Sequence, residues 1–235
     1  MTSAHEIKFF TTAAHACSYL DDRQAITLFA DPDADMTPQL YSRLSDMGFR
    51  RSGNYVYRPQ CRECRACVSV RIPVALFAPR RSQRRCWQHN QDISIRQVPA
   101  EWHEEHYALY ARYISARHRD GDMFPPTPRQ YREFLTCDWA ETVFMEFRAG
   151  ERLLAVAVTD VIDDGLSAVY TFYDPDENPR SLGTFAILSQ VEECRRRGLP
   201  FLFLGYWVRH ADRMRYKTQF RPLELLVEGE WLLAR

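Results

Sequence analysis

Cys61, Cys64 and Cys67 stand at CxxCxxC spacing, which brings three sulfurs close enough to chelate a soft metal or an iron–sulfur cluster. A closed site needs a fourth ligand. Cys17 is the candidate, with His15 behind it. The same spacing also suits reduced, partly buried thiols beside an arginine-rich loop. No histidine lies nearby to complete a nucleophile–base pair, which counts against a catalytic cysteine. The second stretch with chemical content is Arg180-Ser181-Leu182-Gly183-Thr184. It is expected to open a helix shortly after a strand. A helix N-terminus offers unpaired backbone N–H groups to an anion or a developing oxyanion.

The elements around that stretch form a crossover unit. Residues 166–173 are rich in Ser, Thr, Val, Tyr and Phe and read as a strand, which Asp174-Pro175 breaks. Residues 181–197 read as a helix with Ile187, Val191 and Cys194 on one face, closed by Gly198-Leu199-Pro200. Residues 201–206 are a short apolar strand. In open α/β sheets, ligands bind at the C-terminal end of the first strand of such a unit.

Before it, strands are expected over 25–30 and 68–73, a helix over 37–47, and a hairpin over 49–58 turning at Ser52-Gly53-Asn54. Residues 79–91 are basic and helical in their latter half. A second region starts with a strand at 93–98, helices at 101–119 and 128–137, and strands at 142–148 and 152–161. A short helix at 210–216 and a last strand at 220–228 complete the chain. This predicts an α/β (α+β) protein with a smaller cysteine- and arginine-rich lobe over residues 1–91 and a second domain over 92–235. The order of elements in that domain is similar to the GNAT acyltransferase fold.

The net charge is zero, with 31 basic and 31 acidic residues, but the charge is unevenly placed. Residues 43–85 hold eleven arginines against Asp46 and Glu63, a net +9, and residues 195–221 carry a net +7. Two such segments suit a polyanion held in a local groove, although solvated arginine-rich faces would give the same counts. No apolar run is long enough for a membrane span, and no secretory leader is recognisable. The odd count of seven cysteines then favours a reducing, cytoplasmic setting over a disulfide framework.

Several stretches together resemble the arginyl-tRNA–protein transferase family, in particular its bacterial aspartate/glutamate leucyltransferase branch. They are CSYLDDRQA from Cys17, GFRRSGNYVYRPQCRECRACVSVRIPV from Gly48, RRSQRR from Arg80, DGLSAVYTFYDPD from Asp164, RSLGTFAILSQVE from Arg180, LPFLFLGYW from Leu199 and MRYKTQFRPLELL from Met214. The resemblance implies a GNAT-like fold and leucyl-tRNA as donor. It implies acceptor proteins beginning with Asp or Glu, which the added leucine marks for degradation through the N-end rule. An arginyl donor with the same acceptors, or an acetyl-CoA-dependent N-acetyltransferase, are the alternatives. Eukaryotic relatives carry a second cysteine soon after the first and an adjacent pair later, where this chain has Leu20 and the Cys61, Cys64, Cys67 series. A zinc or iron–sulfur site therefore does not carry over residue by residue.

An aminoacyl ester is already activated, so the transfer requires no cofactor, and no GxxxxGK[ST] loop is present. An α-amine must lose a proton and attack the ester carbonyl through a tetrahedral oxyanion. Asp174, after Tyr173 at the strand end, is placed to orient or deprotonate the amine, or simply to start a turn. Tyr206 is placed to hydrogen-bond the ester or ribose, or to fill the core. Lys217, one of two lysines beside 29 arginines, suits an acceptor carboxylate or a tRNA phosphate. Arg51, Arg71 and Arg215 are candidates for an acidic acceptor, because guanidinium binds carboxylates bidentately. Tyr173 and the backbone of Arg180, Ser181, Gly183 and Thr184 complete the expected substrate site.

Overall fold

The computed structural model describes residues 7–234. Its elements in chain order are β1 (Phe9–Thr11), β2 (His15–Ala16), β3 (Gln24–Ala25), β4 (Thr27–Ala30), α1 (Pro38–Asp46), β5 (Arg50–Ser52), β6 (Tyr55–Pro59), β7 (Cys67–Pro73), α2 (Arg81–His89) and β8 (Ile93–Pro99). There follow α3 (Glu104–Arg117), α4 (Pro128–Leu135), β9 (Glu141–Ala149), β10 (Arg152–Ile162), β11 (Gly165–Tyr173), α5 (Leu182–Arg197), β12 (Phe201–Val208), β13 (Leu223–Val227) and β14 (Glu230–Ala234). Short 3-10 helices cover Asn178–Arg180 and Asp212–Gln219.

Local signals explain the helix starts. Thr37 accepts from the Leu40 N–H at 3.2 Å and Thr127 from the Gln130 N–H at 3.1 Å, each followed by a proline in the first helical turn. The strand expected over 220–228 is instead a hairpin of β13 and β14. Its turn places Glu228 and Gly229 at positive φ. Among the described residues no helix is long and apolar enough to cross a membrane.

An eight-stranded sheet runs β14-β13-β7-β12-β11-β10-β9-β8, and a four-stranded sheet runs β1-β4-β6-β5. The mixed α/β class is as expected. β7 lies before residue 91 in the chain, yet it is an inner strand of the large sheet, hydrogen-bonded to β12 and β13. Leu188, Val191 and Cys194 of α5 pack on Val70, Leu202 and Leu204, and Trp87 of α2 stacks on Phe185 at 5.3 Å. On the other face, Tyr110 and Ile114 of α3 and Tyr131 of α4 cover Val156, Val158 and Phe172. Further along β10, Asp160 and Ile162 continue the alternation of that face, and there α1 and the small sheet take over the covering.

The one parallel pairing of the large sheet, β11 with β12, lasts only from Gly165↔Phe201 to Ser167↔Phe203. Beyond it β11 stays with β10 as far as Tyr173↔Ala155, and β12 stays with β7 as far as Val208↔Cys67. The two strands therefore part, and the sheet opens into a fork at their C-terminal ends. Register shifts flank the opening: between Phe203 and Gly205 on β12, and between Val158 and Thr159 on β10, where Val169 of β11 goes unpaired.

Candidate active site at the strand fork

Arg50 fills the fork. It projects from β5 of the small sheet and donates from Nη2 to the carbonyls of Ala168 and Val169 at 3.0 and 2.8 Å. These are the carbonyls left without a β12 partner by the parting strands. Across the gap, Gly205 has φ +71°, and its missing side chain leaves the space that the guanidinium occupies. The small sheet is anchored here by Tyr206 as well, whose hydroxyl points at the carbonyls of Gly48 and Tyr57 at 2.9 and 3.1 Å.

Lys217 stands behind Arg50. It is 4% exposed, and its Nζ donates to the Tyr206 carbonyl at 2.6 Å. It forms no salt bridge among the described residues. Burial, reinforced by the Arg50 charge, holds its pKa well below that of an ordinary lysine. Burial also lifts the Tyr206 phenol well above its ordinary value, helped by Tyr57 and opposed by Arg50. Burial therefore works against the charged form of both groups. Tyr19 from the first region and Tyr216 from the last 3-10 helix also lie within electrostatic reach of Arg50, and Tyr216 within that of Tyr173.

Tyr173 closes the other wall. Its ring stacks on Tyr113 at 4.8 Å and lies beside Gly183, where a Cβ would meet it at 3.4 Å. The start of α5 is clamped to α2, with Asn90 Nδ2 donating to the Arg180 carbonyl at 2.8 Å. Ser181 takes a left-handed conformation, φ 53° and ψ 47°, and its carbonyl accepts from the Thr184 and Phe185 N–H groups. The amides of Leu182 and Gly183 come ahead of these bonds and are the ones that a helix start offers to a ligand.

The expected residues divide into those at the fork and those committed elsewhere. Tyr173, Gly183, Tyr206 and Lys217 gather there. Asp174 lies just past Tyr173 and is 1% exposed. Its carboxylate accepts from Arg112 at 2.8 Å, Arg152 at 2.7 Å and the Asp176 N–H at 3.1 Å. Burial works to raise its pKa, but these donors outweigh burial and hold the carboxyl below its ordinary value. With its lone pairs subscribed, Asp174 has the character of a structural anion and not of a free base.

Arg51 is a correction to the expected acceptor site. Strand alternation turns it away from Arg50 and into the interior, where Nε and Nη2 each meet Asp160 at 2.7 Å. Both side chains are fully buried, so this guanidinium is not available to a substrate. Arg71 is similarly occupied. It bonds Glu224 at 2.6 Å and Asp46 at 3.0 Å and lies over the rings of Phe201 and Trp231. Arg180 is paired with Asp92 and Glu177. Arg215 is exposed on the 3-10 helix.

Arg50 itself escaped the sequence reading. Its one signal there was adjacency to Arg51 in a strand, where one of two neighbours must face each side. Which side held the fork was not readable without the partner sheet.

Cys17, Cys61 and Cys64 are close enough to Cys67 that, after burial, they are the groups that push its thiol up to about 12. All four are free and half-buried. The donor types suit a soft metal. Among the described residues, however, no group of three or more His, Cys, Asp or Glu side chains is arranged to hold an ion.

Comparison with known proteins bears on this arrangement. Two family profiles match: "Arginine-tRNA-protein transferase, N terminus" over residues 15–85, and "Arginine-tRNA-protein transferase, C terminus" over residues 105–227. A protein of Alcanivorax borkumensis named aspartate/glutamate leucyltransferase is 55% identical over 231 residues, covering 98% of this chain and 96% of that protein. One of the same name from Hahella chejuensis is 53% identical over 232 residues, covering 99% of both. Among solved structures, the C-terminal domain of a putative lysylphosphatidylglycerol synthetase from Agrobacterium fabrum matches with a TM-score of 0.51 at 13% identity. That match covers 84% of this chain and 64% of the other, and it speaks for the fold alone.

Proposed function

This chain belongs to the arginine-tRNA-protein transferase family and is an aminoacyltransferase, and we propose that it moves leucine from leucyl-tRNA to the α-amine of proteins beginning with Asp or Glu. The observation that carries this reading is identity of 52–55% along nearly the whole chain to proteins named for that transfer. The products would be substrates for N-end-rule degradation in the cytoplasm, where charged tRNA is found.

The chemistry asks little of the protein beyond placement. The acceptor amine, with a pKa of about 8, sheds a proton, attacks the ester carbonyl and forms a tetrahedral oxyanion. Collapse breaks the ester C–O bond, and the proton that the attacking nitrogen gives up balances the one the ribose oxygen takes to leave as the hydroxyl. The amides at the start of α5 supply oxyanion donors, and Tyr173 and Tyr216 wall the place where the two substrates meet. Asp174 keeps the end of β11 fixed through Arg112 and Arg152. The loop at residues 180–184 has one glycine and the buried Leu182, which does not suit the pyrophosphate of an acyl-CoA.

Peptides beginning with Asp, Glu, Lys or Ala, each incubated with leucyl-tRNA, arginyl-tRNA or acetyl-CoA and weighed by mass spectrometry, test the proposal. A leucine-sized gain confined to the Asp and Glu peptides is expected. An arginine-sized gain would overturn the donor, and acetylation alone would overturn the reaction.

A further inference from the structure

Arg51, Arg71, Arg112, Arg148, Arg152 and Arg180 each hold at least one carboxylate. Arg50 is half-buried, like Arg148 and Arg180, but forms no ion pair among the described residues. Among the described residues its hydrogen bonds run from Nη2 to two neutral carbonyls. Lys217 lies nearby, its Nζ on the Tyr206 carbonyl, and forms no salt bridge among the described residues. The phenols of Tyr19, Tyr206 and Tyr216 also lie within electrostatic reach of Arg50. A partly desolvated cation facing phenols and an amine is costly to maintain unless something outside the fold brings the negative charge.

We infer that Arg50 is the residue that reads the acceptor, receiving the side-chain carboxylate of an N-terminal Asp or Glu in the fork between β11 and β12. The inference rests on the acceptor class proposed above. With Nη2 already spent, Nη1 and Nε remain as charge-assisted donors for one carboxylate. The exposed Arg81, Arg84 and Arg85 of α2 are more accessible to phosphates than Arg50 is. The acceptor's carboxylate is separated from its own α-amine by only a few bonds, so its receptor must stand next to the reacting carbonyl. Tyr216 links the two, lying within electrostatic reach of both Arg50 and Tyr173, and Tyr173 lies beside Gly183 at the start of α5.

The test compares leucine transfer to peptides beginning with Asp, Glu, Asn and Gln by the wild type, Arg50→Gln and Arg50→Lys. Wild-type enzyme should prefer Asp to Asn. Arg50→Gln should lose about 10- to 100-fold of that preference, the range expected for one charge-assisted pair. Arg50→Lys, with charge but no planar fork, should keep part of it. An unchanged Asp:Asn ratio in both variants overturns the inference. Weakened leucyl-tRNA binding with an unchanged ratio overturns it too, in favour of a phosphate subsite.

Because Arg50 also caps two carbonyls, its variants can be lost to misfolding, and a measurement on wild-type protein stands beside them. Phenylglyoxal labelling of Arg50, followed by mass spectrometry, should be suppressed by an Asp peptide and not by its Asn counterpart. Equal labelling with both peptides overturns the inference. A wild type that leucylates none of the four peptides contradicts the proposed reaction, whereas Arg50 protection is read without turnover.

Discussion

Arg50 lies flat against Gly205: a Cβ on Gly205 would stand 1.9 Å from Nη1 and 2.3 Å from Cζ of Arg50. The smallest side chain at position 205 is therefore a condition for the cation in the fork. Gly205→Ala should expel Arg50 and also place a Cβ at φ +71°, a strain of about 1–2 kcal/mol. We expect transfer activity to fall by about 10-fold or more while far-UV circular dichroism is kept and the melting temperature drops by a few degrees. Full activity in this variant would mean that the guanidinium is not needed where it lies.

The Arg51–Asp160 pair makes the opposite kind of prediction, one about stability. Both partners are fully buried, and Thr142 and Tyr41 also donate to the carboxylate. Asp160→Ala strands a guanidinium in the interior and should cost about 3–5 kcal/mol, measured as a lowered urea midpoint. Arg51→Met combined with Asp160→Leu should cost much less than the two single changes added together. Additive losses would show that the charges are not coupled.

Lys217 predicts a pH dependence. Its native pKa is depressed by burial and by Arg50, whereas in the unfolded chain it is about 10.4. Between those two values the unfolded chain binds the extra proton, so stability rises with pH across that window and levels off above it. Urea titrations should therefore show the wild type gaining on Lys217→Met as the pH rises towards the unfolded value of about 10.4. A constant difference would place the ammonium in a solvated setting.

Arg81, Arg84 and Arg85 on α2 are exposed and form no salt bridge among the described residues, as expected of phosphate contacts. Changing all three to Ala should reduce the slope of log K against log salt for leucyl-tRNA binding by about 2–3. An unchanged slope in filter-binding measurements would take α2 out of the tRNA interface.

Much of the second region was legible because its signals are local. Turn residues bounded β9, β10 and β11, and the apolar spacing of Ile187, Val191 and Cys194 identified α5. Residues that act across sheets were not legible. Arg50 and Arg51 are equivalent in sequence, and only the packing of β5 against β11 sends one to the fork and the other to Asp160. Asp174 reads as a base at a strand end until Arg112 and Arg152, from α3 and β10, are seen to claim it. Arg71 reads as a free cation until Glu224 and Trp231 arrive from the far end of the chain. The position of β7 was hidden for the same reason, since pairing partners this distant in sequence leave no periodic trace.

The place of β7 also has a consequence for how the protein is made. Its two hydrogen-bonded neighbours, β12 and β13, both belong to the last part of the chain. On the ribosome β7 emerges early and has no ladder to join until nearly the whole polypeptide has been synthesised. Its apolar residues Val70 and Ile72 wait through that interval without their final partners, a situation in which nascent chains depend on chaperones. Gly205 and Lys217 of the fork also lie in that last part of the chain, so products of translation truncated before them would lack a formed site and be inert.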